Sequence, residues 1–457
     1  MSVAKQPGAS GTAVSRSRSA SAKHARVANK RLRIGLFGLF GSGNFGNDAS
    51  LDSALTFVRQ RRPDAALICI CGTPEIIEPR FKIQVTRISC PKSKGWKAAL
   101  NRWLCQVPRE IASTVNALLH LWRLDTMIIP GTGILDDFGT GPFGMPYAMF
   151  RWCLLARIVG TKVLFLNVGA GPISHPLSRF FMKAAARLAN YRSYRDEISR
   201  QYMERIGVNA KDDPVYPDVA FGLPLPVRTS HPSNRLPPVI GVGLMSYNGW
   251  RGDIVRRTDI YDTYMLKITS FVKRVLDEGY RVRLLSGDEH DWDAVEDLTK
   301  RLQIDHPKHL NDKLITVPVH SFYDVMQQIA DTHIVIATRY HNVVAALIMN
   351  KPTLSIGYAA KNDVLLGQMG LGNYCQHIEA IDLDLLMVQL HQLLDNREHH
   401  EKILRKTNRL FRRRLFHQQE ALLHDFFPSR LDHHLATAGQ AMQPRGRNPT
   451  EFNDANK

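Results

Sequence analysis

Two polar side chains interrupt an otherwise apolar stretch in the second half of the chain: Val335-Ile-Ala-Thr338-Arg339-Tyr340-His341-Asn342-Val-Val-Ala-Ala. The spacing predicts a buried strand before them and a helix over Val343–Met349 after them, so Arg339 and His341 fall at a strand–helix junction. An arginine there offers a planar fork matched to a carboxylate or a phosphate. A histidine at a helix start can donate a proton if a bound anion raises its pKa. The ordinary fate of a lone histidine is a hydrogen-bonded packing role, and most of the 18 histidines are read that way. Two nearby strand ends add candidates. In Ser286-Gly287-Asp288-Glu289-His290-Asp291 the acids would orient a sugar hydroxyl, act as a base or cap a helix. Ser355-Ile-Gly357-Tyr358-Ala-Ala-Lys361 supplies Lys361, a phosphate partner or a solvated lysine.

The first half contributes glycine turns. Gly38-Leu-Phe-Gly41-Ser-Gly43-Asn44-Phe-Gly46-Asn47-Asp48 joins a strand to a helix expected to begin near Asp48. Bare amides and a helix N-terminus at a sheet's carboxyl edge suit an anion. Gly41-x-Gly43-x-x-Gly46 has dinucleotide-motif spacing, but no acid stands at the tip of the next strand, where Cys71 is followed by Gly72-Thr-Pro. A tight turn with Asp48 as the cap explains the loop equally well. Pro130-Gly131-Thr-Gly133-Ile-Leu-Asp136-Asp137 and Asn167-Val-Gly169-Ala-Gly171-Pro172 are further glycine turns after strands. Three such ends suggest close approach of a ligand or an opposite domain, with plain structural turns as the alternative for each.

Alternating strands and helices position these loops. Strands are expected at Ile34–Gly38, Ala66–Cys71, Phe81–Ile88, Thr126–Pro130, Lys162–Asn167 and Tyr191–Tyr194, with helices between them at Lys97–Trp122, Met145–Val159 and Leu177–Leu188. The pattern restarts after the Pro-rich segment 224–238 with strands at Val239–Val242, Arg281–Ser286, Lys313–Val317, Ile334–Ala337 and Thr353–Ile356. This predicts an α/β protein of two Rossmann-like parallel-sheet domains facing a cleft, with ligands beyond the strands' carboxyl ends. The expected division is a basic tail (1–30), a first domain (31–223), a linker (224–238), a second domain (239–385), basic C-terminal helices (386–430) and a final tail (431–457).

The chain has 457 residues with 60 Lys and Arg against 42 Asp and Glu. Eight of those cations lie between Lys5 and Arg33, a stretch without acids. No RNA-binding signature accompanies them, so no nucleic-acid partner is expected. Six cysteines without zinc spacing read as reduced thiols, Cys69 and Cys71 sharing a strand face. No His, Asp or Glu set has metal spacing. No apolar run of about 18 uncharged residues and no secretory leader are seen, which points to the cytoplasm. The basic segment Leu383–Phe427 has an apolar stripe of Ile403, Leu404, Leu410, Phe411 and Leu415. Most such faces are solvated, and a minority dock on acidic membranes, so peripheral contact with the inner membrane face is one expectation.

Taken together, the motifs resemble the polysaccharide pyruvyl transferase family from Gly35 to about Ile378. They are Gly38–Asp48, Ile128–Gly133, Asn167–Pro172, Ser193-Tyr-Arg195-Asp196-Glu197-Ile-Ser199, Tyr216-Pro-Asp218-Val-Ala-Phe221, and Thr338-Arg339-Tyr-His341 with Ser355–Lys361. The resemblance implies two GT-B-like halves and transfer of pyruvate from phosphoenolpyruvate, as donor substrate and without a cofactor, to a sugar or lipid-linked oligosaccharide of a bacterial surface glycan. It implies His341 as the acid and Arg339 and Lys361 as donor ligands. Gly41, Asn44, Asp48, Gly131, Gly133 and Asp288 fall on the acceptor side or in the cleft. Gly-Thr-Gly at 131–133 replaces a commoner triple glycine, Asn47 replaces a common glycine, and the loop Asp136–Pro146 and the basic tails are unusual. A glycosyltransferase using a nucleotide-sugar remains the alternative, with Asp288 or Glu289 gripping the ribose; a non-catalytic basic glycan- or lipid-binding protein is a third reading.

Overall fold

The computed structural model describes residues 31–91, 107–226, 236–249, 254–305 and 313–427. Strands β1 (Arg33–Phe37), β2 (Ala66–Cys71), β3 (Gln84–Arg87), β4 (Thr126–Pro130), β5 (Lys162–Val168) and β6 (Tyr191–Tyr194) form a parallel sheet in the order β3-β2-β1-β4-β5-β6. Strands β7 (Val239–Gly243), β8 (Arg281–Leu285), β9 (Leu314–Thr316), β10 (Ile334–Ala337), β11 (Thr353–Gly357) and β12 (Cys375–His377) form a second in the order β12-β11-β10-β7-β8-β9. Counted from its own first strand, each sheet has the 3-2-1-4-5-6 order whose direction reverses beside that strand, which is where ligands of such sheets bind. Strands β4, β7, β10 and β11 are buried along their whole length, as sheets covered on both faces require.

In the first domain the helices are α1 (Phe45–Arg61), α2 (Pro74–Phe81), α3 (Val107–Leu121), α4 (Met145–Val159), α5 (Pro176–Leu188) and α6 (Glu197–Arg205). The second contains α7 (Ile254–Asp277), α8 (Trp292–Asp305), α9 (Phe322–Ala330), α10 (Tyr340–Ile348), α11 (Lys361–Gln368) and α12 (Leu383–Asp395), and α13 (Arg397–Phe426) ends the described chain. Several expected boundaries shift. Helix α1 begins at Phe45 rather than near Asp48, because the Asn44 side chain accepts the Gly46 and Asn47 N–H groups. Phe81 is not the start of a strand: it closes α2, Lys82 turns left-handed, and β3 spans Gln84–Arg87 alone. The part of the expected helix Lys97–Trp122 before Val107, the tails 1–30 and 431–457, and most of the linker lie outside the described residues. Cys69 and Cys71 are buried free thiols.

The basic residues Lys402, Arg405, Lys406, Arg409, Arg413 and Arg414 are exposed, as the sequence suggests, but the opposite side of the segment is not free. Helix α13 buries Leu404, Phe411, Leu415 and Leu422 and straps the two domains together. Asn408 Nδ2 donates to the Leu347 carbonyl of the second domain at 2.7 Å, and Gln418 Nε2 donates to Asn167 Oδ1 of the first at 2.7 Å. Ser193 Oγ also donates to that Asn167 oxygen at 2.8 Å, so the strap is pinned at the ends of β5 and β6.

Candidate active site between the two domains

The carboxyl ends of the two sheets meet face to face. The glycine loop after β1 clasps the loop after β8: Phe45 N–H donates to the Gly287 carbonyl at 3.3 Å, Glu289 N–H donates to the Gly43 carbonyl at 3.1 Å, and Asn44 forms an antiparallel bridge with Asp288. Gly43 has a φ of 88°, a conformation glycine adopts without strain. His341, in the first turn of α10, sits across this junction on Gly46. A β-carbon at Gly46 would lie 1.9 Å from His341 Nδ1, so glycine is what lets the imidazole of one domain rest on the helix start of the other.

Arg195, at the end of β6, enters from the first domain. Its guanidinium lies 4.1 Å from the centroid of the Tyr340 ring, a cation–π contact across the domain boundary. Its charge is shared loosely, 3.4 Å from Asp218 and 3.5 Å from Asp196, and its buried Nε has no hydrogen-bond partner among the described residues. Lys361, first residue of α11, stands 5.7 Å from the Tyr340 ring and 5.0 Å from the Tyr358 ring, with no ion pair among the described residues. Asp136 faces these cations from the loop after β4. Burial pushes its carboxyl up to about 6, against the pull of Lys361 and Arg195.

His341 is held neutral. Burial keeps its imidazole well below the ordinary 6.5, and Arg195, Lys361 and Arg339 push the same way. Its Nε2 is buried without a hydrogen-bond partner, and so are Thr132 Oγ1, Arg195 Nε and Asn342 Nδ2 at neighbouring strand ends. Unpartnered buried polar atoms are uncommon, and these four fall on the segments that follow β4, β6 and β10. The result is a junction where three cations, Arg195, Lys361 and Arg339, surround a neutral imidazole.

The expected site residues divide into two groups. Arg339, His341 and Lys361 come together, and Gly133 packs near Asp136 and Arg195, whereas Gly131 packs against Val219 and Ser50. Within that group Arg339 is already engaged: its Nε and Nη2 donate to the two oxygens of fully buried Asp291 at 2.7 and 2.8 Å. Asp288 lies 3.7 Å from Arg339 and caps the turn Glu289–Asp291 through the His290 N–H. Asn44 contributes its cap and backbone bridge. Asp48 and Gly41 lie elsewhere: Asp48 accepts the Gly41 N–H at 2.8 Å and Arg80 Nη1 at 2.7 Å, lining a cavity of about 360 Å3 with Asp52, Phe81 and Tyr323. Asp48 is therefore not the cap of α1. Arg195, Tyr340 and Asp136 were not among the expected site residues. The signal for Arg195 was a guanidinium directly after a buried strand, within a segment already marked by its motif. Among the described residues no group of three His, Cys, Asp or Glu side chains is placed to hold a metal ion.

A family model for polysaccharide pyruvyl transferases matches residues 44–359. The chain belongs to the polysaccharide pyruvyl transferase family. Its matched span contains Arg195, Arg339 and His341 and stops two residues short of Lys361, a narrower interval than the motifs suggested. Among solved structures, the UDP-GlcNAc 2-epimerase from Methanocaldococcus jannaschii shares the fold at a TM-score of 0.52 and 9% identity, over 79% of this chain and 92% of that one. The UDP-GlcNAc 2-epimerase from Neisseria meningitidis bound to UDP-GlcNAc aligns at 0.50 and 10% identity, over 81% and 93%. At such identities the likeness establishes the two-domain GT-B-like fold of this family member and nothing of its substrate. No curated protein matches the chain.

Proposed function

We propose that the protein transfers pyruvate from phosphoenolpyruvate to a sugar of a bacterial surface polysaccharide or its lipid-linked precursor, forming a ketal. The observation that carries this reading is the meeting of Arg195, Lys361 and His341 at the junction of the two sheets. Phosphoenolpyruvate has a carboxylate and a phosphate and bears about three negative charges. Arg195 and Lys361 would bind and orient them, while Arg339, held by Asp291, positions the loop bearing His341. Once bound, the anion offsets the cations that keep the imidazole neutral, so His341 enters the reaction carrying a proton.

His341 then protonates the methylene carbon, leaving an electron-poor C2. A sugar hydroxyl attacks C2 as its proton passes to Asp136, whose pKa near 6 suits a general base. A second hydroxyl closes the ketal as phosphate departs with the C–O electron pair, and its proton returns to the imidazole. A separate cavity lined by Asp48, Asp52, Arg80 and Phe81 of the first domain and Tyr323 of the second has the carboxylates and aromatic walls that suit a sugar.

The test is incubation with phosphoenolpyruvate and candidate oligosaccharides. Release of phosphate with an acid-labile mass gain on the sugar supports the proposal. Release of a nucleotide from an added nucleotide-sugar, with no phosphate from phosphoenolpyruvate, overturns it.

A further inference from the structure

Helix α3 buries Ser113, Ala117 and Leu121 and turns a second apolar line outward. Its polar side chains face the protein: Ser113 Oγ accepts the Cys90 N–H at 2.9 Å, Arg109 Nε donates to the Cys90 carbonyl at 2.9 Å, and Asn116 Nδ2 reaches the Arg87 carbonyl at 3.3 Å. Glu110 pairs with buried Arg151 at 2.5 Å. The outward line is Val107, Ile111, Val115 and Leu119, one residue per turn, continued by Trp122, and these side chains are between 49% and 78% exposed. An ordinary surface helix turns polar residues outward instead. Single exposed apolar residues need no explanation, but a contiguous patch does.

Exposed apolar residues also stand on α4, which packs against α3, and on α5, which packs against α4. Ile158 on α4 is 68% exposed, and Phe180 on α5 and Phe143 before α4 stand out of an aromatic cluster with Phe181. Around it the charge has one sign. The exposed charged residues of α4 and α5 are Arg157, Arg179 and Arg187, all cations, while Arg109 and buried Arg151 turn inward and the single acid of the three helices, Glu110, pairs with Arg151. A second copy of the chain would set these cations against each other. An apolar stripe ending in tryptophan and rimmed by cations instead complements anionic headgroups over an acyl boundary.

We infer that the outer face of α3, α4 and α5 is a peripheral docking surface for an anionic lipid bilayer. The sequence suggests such contact on the basic C-terminal helix, but α13 commits Leu404, Phe411 and Leu415 of its apolar stripe to the domain cores and leaves only Leu410 of that stripe exposed. Helices α4 and α5 start from the strand ends that form the cleft, so Phe143 and Phe180 lie toward its mouth. Docking there sets the cleft beside the headgroups whichever donor it uses. No helix among the described residues is long and apolar enough to cross a membrane, so this attachment is to the surface.

The test is co-sedimentation of the full chain with phosphatidylglycerol-containing vesicles, with pure phosphatidylcholine vesicles as the neutral arm. Binding should be at least about tenfold stronger to the anionic vesicles and weaken at high salt. The double substitution Ile111→Glu with Leu119→Glu, at exposed positions, should lower it by at least about tenfold without moving the melting midpoint. Arg157→Gln with Arg187→Gln should weaken it to a smaller degree. Absence of binding to anionic vesicles overturns the proposal. So does binding unchanged in the Glu variant, which would trace to the eight cations between Lys5 and Arg33. A stable dimer that the Glu variant dissociates, without vesicle binding, also overturns it.

Discussion

His341 of the second domain rests its imidazole on Gly46 of the first, so closely that a β-carbon there would lie 1.9 Å from Nδ1. The proposed acid is therefore positioned by a missing side chain on the opposite domain. Gly46→Ala must displace the ring or part the domains, and displacement by about 1 Å is enough to cost about 100-fold in rate. The expected outcome is a fall in kcat/KM of that order, with the circular dichroism spectrum retained. Unchanged kcat/KM would remove the contact from the mechanism.

The imidazole also makes stability depend on pH. It is neutral in the folded chain at pH values where a free histidine, with a pKa near 6.5, already takes a proton. Below about 6.5 the unfolded chain binds more protons than the folded one, so this group lowers stability as pH falls, by at most about 1.4 kcal/mol per pH unit. His341→Gln has no such proton. Melting midpoints should show the variant gaining on the wild type between about pH 7 and about pH 5.5, while its turnover drops by about 100- to 10,000-fold.

Asp136 titrates with the opposite sense. Its raised pKa of about 6 means that the folded chain holds a proton which the unfolded chain has lost above about 4. That stabilisation is present at low pH and is lost as pH rises through about 6, where a charge must be buried at a cost on the order of 3 kcal/mol or less. Asp136→Asn should match the wild type near pH 4, melt higher above pH 6 and turn over more slowly. Equal activity would leave Asp136 without a role as base.

Lys361 and Arg339 are expected to separate binding from folding. Lys361 has no ion pair among the described residues, so Lys361→Gln should raise KM for the donor about tenfold or more with little change in melting midpoint. Arg339→Gln strands fully buried Asp291 and should destabilise the fold by about 3–5 kcal/mol. Thermal melts and steady-state kinetics on the two variants distinguish these effects.

Much of the architecture was legible in the sequence because buried parallel strands are short apolar runs: β2, β4 and β10 stand where the pattern puts them. Helix α2 was hidden by Pro74 and Pro79, and β12 is a three-residue edge strand too short to show periodicity. Asn44 and Asp48 are both good capping residues, so composition could not decide which one starts α1. The junction around Arg339 and His341 was visible as charge within an apolar run. Arg195 and Asp136 were not chosen, because their chemistry arises from Tyr340, Lys361 and His341 on the other domain, contacts that lie far apart along the chain. The polar members of the α13 stripe, Asn408 and Gln418, were likewise invisible without the partners they bond.

The most direct test of the polyanion site is calorimetric titration of phosphoenolpyruvate into the protein in two buffers of different ionisation enthalpy. Binding should be accompanied by proton uptake near neutral pH, as the anion reverses the depression of the His341 pKa, and the uptake should vanish in His341→Gln. Binding with no proton uptake, uptake that persists in His341→Gln, or no binding of phosphoenolpyruvate at all would contradict the assignment.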